Sequence, residues 1–90
     1  MSVATLDPAR NEAISSSAVA LRRIGAYVLP PELDRRILEL GERKDALTTE
    51  ERDELQAWVK FTQQRSTEKF EAQLALRRLT AVFPEIAGQP

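Results

Sequence analysis

The chain has 90 residues, enough for one small domain that buries roughly 60–65% of its unfolded surface. It has no cysteine and no histidine, which removes disulfides, thiolate chemistry, Ser-His or Cys-His nucleophile pairs and imidazole metal sites. A formal net charge of −1 gives no bulk electrostatic case for nucleic acid or for an anionic membrane.

Three glycines, five prolines and few β-branched residues argue against a sheet-rich fold. No apolar run reaches 18 residues, so no transmembrane helix is expected. The first residues, MSVATLDPARNE, lack a basic segment followed by an apolar one, so no secretory leader is expected and the location read from them is cytoplasmic. The fold class read from the pattern is all-α: three helices, comprising an αα-hairpin and one long C-terminal helix, in a single domain over residues 7–83.

Residues 1–6 read as a disordered N-terminus. Asp7 and Pro8 then form a helix entry, with Asp7 as N-cap and the proline at the first helical position. This first helix is predicted over 8–28, with Ile14, Ala18, Leu21, Gly25 and Val28 on its buried face and Ile24 at the edge. Ser15, Ser16 and Ser17 are weak helix formers, so its front half should be the less stable. Leu29-Pro30-Pro31-Glu32 breaks the chain and restarts it. A second helix is predicted over 31–44, with Leu33, Ile37, Leu38 and Leu40 apolar. Gly41 is either its stop or an interior residue of a helix that reaches Lys44.

The long helix is predicted over 49–83. Thr48 and Glu51 stand at capping-box spacing, where each side chain reaches the other's backbone amide. Neither Gly nor Pro follows until Pro84 ends the run. The short connection makes the second and third helices antiparallel neighbours. Leu55, Trp58, Val59 and Thr62 form one stripe. Thr62 to Lys69 is polar, read either as a solvated span of one helix or as a break capped by Ser66 and Thr67. From Phe70 to Phe83 the helix is apolar over more than one face, which asks for neighbours on more than one side. Residues 84–90, PEIAGQP, read as a flexible tail.

No catalytic set, no metal-ligating set and no cofactor site emerges. Glu50, Glu51, Asp53 and Glu54 are the acids expected in a first helical turn. Three arginine pairs, Arg22-Arg23, Arg35-Arg36 and Arg77-Arg78, suit phosphate recognition, but adjacent helical residues diverge by about 100°, and Glu32, Asp34, Glu39 and Glu71 interleave with them. Salt-bridged, solvated faces are the simpler reading. Trp58 reads first as a core anchor against Leu33, Ile37 and Leu55, and otherwise as a binding hot spot. The candidate partner or self-interface is Trp58, Phe61, Phe70, Leu76, Arg77, Leu79 and Phe83.

Leu29, Pro31, Glu32 and Leu33, then Leu47, Thr48, Glu50, Glu51, Glu54 and Leu55, then Trp58 and the Ala75–Leu79 segment resemble a loose group of short helical bacterial proteins. That group shares a Leu-Ser/Thr-Pro-Glu-Leu entry, a Leu-Thr-x-Glu-Glu-x-x-Glu-Leu hairpin signature, a following aromatic and a last helix rich in Ala, Leu and Arg. This chain departs from it at Pro30, where the group has Ser or Thr, and in a shorter spacer between the motifs. The resemblance implies a helical fold and an accessory role, some members being encoded beside nucleases. The function expected from the excess apolar surface of Phe70 to Phe83, on a chain with few other helices to cover it, is a non-catalytic helical interaction module, an oligomerising adaptor or an accessory or regulatory subunit. Its partner is another protein, a second copy, or both. A nucleic-acid-associated regulator using the arginine pairs is the less favoured alternative.

Overall fold

A computed structural model describes residues 7–88 of the chain. The described residues are all-α, with no strand: α1 spans Pro8–Gly25, α2 Pro31–Glu42, a short 3₁₀ turn Lys44–Ala46, α3 Thr49–Val82 and α4 Pro84–Ala87. The expected disorder of residues 1–6 lies outside the described residues.

Each helix begins where the local chemistry allows. The Asp7 carboxylate accepts from the Arg10 amide at 3.1 Å, and Pro8, which has no amide hydrogen to leave orphaned, takes the first helical position. α1 stops at Gly25, three residues short of the expected 28. Pro30 and Pro31 lack the donors that the Ala26 and Tyr27 carbonyls would need in a longer helix, so nothing rewards extending the last turn. Pro31 opens α2, with Glu32 and Asp34 in its first turn. α2 closes at Glu42 rather than 44, with Gly41 inside it, and the chain tightens into the 3₁₀ turn through an Ala46 amide bond to the Arg43 carbonyl.

The capping box of α3 forms in both directions. The Glu51 amide donates to Thr48 Oγ1 and the Thr48 amide donates to Glu51 Oε1, each at 3.1 Å. α3 then runs unbroken through Thr62–Lys69 for 34 residues, about 50 Å at ~1.5 Å per residue. The hydroxyls of Thr62 and Thr67 bond back to the carbonyls of Val59 and Gln63, so neither competes for a cap.

The described residues group into two compact units. One holds residues 28–67; the other joins the residues up to Tyr27 with those from Glu68 onward. The 28–67 unit is an antiparallel hairpin of α2 and the first half of α3. Arg36 pairs with Glu54 and Arg43 with Glu51, so ascending α2 descends α3. Leu40 is wholly buried there and Leu47 nearly so. Fully burying a leucine contributes about 1.5–3 kcal/mol.

In the other unit Ile14 and Ala18 of α1 meet Ala87 of α4, with Leu76, Leu79, Phe83 and Ile86 packed around them. Small residues let the elements approach. Ala18 and Ala87 are 1% and 0% exposed, and a Cβ on Gly25 would stand 3.1 Å from the Gln73 side chain. Gln73 Nε2 donates to the Gly25 carbonyl at 3.0 Å, and the Arg22 guanidinium donates to the Ala87 carbonyl.

That last contact corrects the expectation of a flexible tail for residues 84–88, while residues 89 and 90 lie outside the described residues. Pro84 ends α3 but also serves as the first residue of a new turn, whose Ile86 and Ala87 amides bond to the Phe83 carbonyl. The turn is held because Ala87 fits against α1. Val28, expected on the buried face of the first helix, is instead exposed beyond its end.

Candidate protein-interaction surface

The hairpin unit spends its charged groups on itself. Arg36 donates to both oxygens of Glu54 at 2.7 Å, and the Trp58 indole N–H donates to the same carboxylate at 3.0 Å. The Arg36 bond, followed by that of Trp58, holds the Glu54 carboxyl down at about 2, and the same pair raises the arginine above its ordinary value. Glu51 is also lowered, first by the Thr48 amide and then by Arg43, whose guanidinium lies 2.8 Å away. Carboxylates held ionised in this way are poor proton donors near neutrality. Among the described residues no group of three or more acidic side chains is placed to hold a metal ion, and no helix is long and apolar enough to cross a membrane.

Trp58 is half-buried in this unit, its ring edge-on to Phe61 at 6.1 Å between centroids, and Arg65 stacks over the other aromatic at 5.5 Å. The Trp58–Phe61–Arg65 series is thus one continuous face of α3. Phe61 remains exposed.

Two of the three arginine pairs are not free for a ligand as pairs. Arg22 is committed to the Ala87 carbonyl and Arg36 to Glu54, while Arg77 and Arg78 are exposed on α3.

The other unit carries the more open surface. On the side of the α1–α3 seam lined by Leu21 and Ile24, a hollow of about 320 Å³ is walled by Ala72 and Ala75 and rimmed by Glu68 and Glu71. A second, of about 450 Å³, continues past Ser17 to Leu79, Val82 and Phe83, with Arg78 beside it. Leu21 and Ala75 line both, so the two hollows are one shallow apolar trough. Ile24 and Leu74 are nearly half exposed, and Phe70 and Val82 are 65% and 67% exposed. The trough has an acidic end at Glu68 and Glu71 and a basic end at Arg78.

The residues expected at an interface therefore separate. Leu76, Leu79 and Phe83 pack against Ile14, Ala18 and Ala87 of their own unit, with Arg10 stacked 4.9 Å above the Phe83 ring. Leu79 and Phe83 still show one edge to the trough. Phe70 and Arg77 are exposed, and Trp58 and Phe61 belong to the hairpin unit. Sequence reasoning did not single out Val82, Ala72 and Ala75 of α3 or Leu21 and Ile24 of α1 as interface residues. Their common signal is spacing: 72, 75, 79 and 82 on α3, and 17, 21 and 24 on α1, each follow one helical stripe.

Comparison of the chain with protein-family models, with curated proteins and with solved structures gives no match.

Proposed function

We propose that this chain is a non-catalytic helical interaction module, an oligomerising adaptor or accessory subunit, and that the α1–α3 trough is its docking surface. The observation that carries this reading is the apolar trough itself, along which Ile24 and Val82 are exposed. A small chain gains little by exposing isoleucine and valine along one apolar trough, and such patches mark surfaces that another macromolecule covers. The ionised, ion-paired state of Glu51 and Glu54 also favours a structural over a catalytic use of the acidic turn. The nucleic-acid reading has no comparable support, since one member of each of two arginine pairs is engaged within the fold.

The test compares the parent with Val82→Lys. Val82 is largely exposed and lies near the C-terminus of α3, where a cation suits the helix dipole, so the substitution should leave folding intact. Self-association is read by sedimentation equilibrium, and association with other proteins by affinity capture with mass spectrometry. The expected result is an association present in the parent and lost in the variant. A parent that neither self-associates nor retains any protein beyond those retained by Val82→Lys overturns the proposal.

A further inference from the structure

Resting on that reading, we infer that the occupant of the trough is a second copy of this chain, docked with the two α3 helices antiparallel about a two-fold axis beside Ala75. Apart from Phe83, the α3 residues that line the trough are symmetric in spacing about that alanine. Glu68, Glu71 and Ala72 precede it by seven, four and three residues; Arg78, Leu79 and Val82 follow it by three, four and seven. Both acids stand on one side of the alanine and the arginine on the other, with Glu71 four residues before it and Arg78 three after.

A two-fold axis at Ala75 sets each residue before the alanine against its counterpart after it. Arg78 of one copy then lies about 1.5 Å along the axis from Glu71 of the other, one residue's rise and well within side-chain reach. Both stand on the same edge of the stripe, since seven residues advance the helix by two turns less about 20°. The two-fold keeps that edge on one side, so the Glu71–Arg78 pair forms twice. Among the described residues neither side chain makes an ion pair within its own chain. A parallel two-fold would instead carry that edge to opposite sides of the contact in the two copies, so the pair would not form. An isologous contact is self-complementary in this way by construction. Ala72 and Ala75 at the centre allow close approach, and Ile24, Leu74 and Val82 supply the apolar surface to be covered. Two such α1–α3 pairs joined face to face make a four-helix arrangement.

The test uses the full chain, which has no cysteine of its own, so single cysteines report position without background. Ala75→Cys should cross-link to itself through a short thiol-specific reagent. Glu68→Cys and Val82→Cys should each fail to do so, because a residue seven positions from the axis lies about 21 Å along the helix from its own symmetry mate. Mixed together, those two variants should cross-link to each other. Sedimentation equilibrium supplies the second measurement. Glu71→Arg and Arg78→Glu should each weaken self-association by about tenfold or more, and the double variant should recover most of it. The substituted glutamate and arginine are exposed, and circular dichroism checks that the helices persist. Self-cross-linking at Glu68→Cys, or a double variant no tighter than either single one, overturns the inference. So does a parent that stays monomeric at high concentration. If that monomer still captures another protein through Val82, the docking surface stands and its occupant is heterologous.

Discussion

Leu40 offers the sharpest check on the packing, because it is the one large side chain among the described residues that is fully buried. Leu40→Ala removes the transfer free energy of the lost carbons and leaves a cavity that the hairpin closes only in part. Together these cost about 2–5 kcal/mol in comparable cores, and about 3 is expected in a hairpin with little around it to resist collapse. A chain of this size holds roughly 5–13 kcal/mol in all, at ~0.05–0.15 kcal/mol per residue, so the loss is a large share of the whole. Leu38 lies two residues away on the same helix but is 56% exposed, and Leu38→Ala should change stability by about 0.5 kcal/mol or less. Urea unfolding reads both variants. The fluorescence of Trp58, the only tryptophan, follows the 28–67 unit, while far-UV circular dichroism follows all helices. A Leu40→Ala cost under about 1 kcal/mol, or one equal to that of Leu38→Ala, would refute the assignment of Leu40 as the centre of the hairpin.

Gly41→Ala should stabilise the chain by about 0.4–1 kcal/mol, read as a higher urea midpoint, because a Cβ there meets nothing within 4 Å and the backbone is helical. Glu54 should make stability pH-dependent. Its carboxyl is lowered in the folded chain, so its pairing with Arg36 contributes fully above the ordinary carboxylate value and is lost as pH falls toward about 2. Glu54→Gln should therefore lower the midpoint at pH 7, and the gap between variant and parent should narrow as pH drops from 5 to 2. Arg22→Ala should release α4, detected as faster amide exchange at Ile86 and Ala87 with little change at Leu40. Equal acceleration at all three sites would mean that the Arg22 contact supports the whole fold rather than the last turn.

The helix starts were legible in the sequence because each rests on a short-range rule. Asp7-Pro8, Pro31 with Glu32, and the Thr48–Glu51 box all act within a few residues, and all three form. The sequence admits two readings of Thr62–Lys69, and helix propensity without a strong breaker favours the unbroken run that forms. The covered faces were less legible. Periodicity places Leu76, Leu79 and Phe83 on one stripe, but does not say that a four-residue turn and two alanines will fold over it. Pro84 reads as a terminator, and its second role as an initiator depends on a long-range fit between Ala87 and α1. The exposed trough was hidden for the same reason. Once Leu79 and Phe83 turn one flank inward, the residues left outward are Ala72, Ala75 and Val82, whose modest size gives a weak sequence signal.

In sequence, residues 28–67 separate the two chain segments of the other unit, and this has a kinetic consequence. Its pairings are short in sequence: Arg43 reaches Glu51 across eight residues and Arg36 reaches Glu54 across 18. The Arg22 bond to Ala87 spans 65. Loop-closure entropy grows with the logarithm of loop length, at about 0.6 kcal/mol per doubling, so the hairpin is the contact set that a collapsing chain reaches first. Its formation shortens the effective loop between α1 and the end of α3. Mutations such as Leu40→Ala should then slow folding, whereas those at Ala18 or Ala87 should mainly speed unfolding.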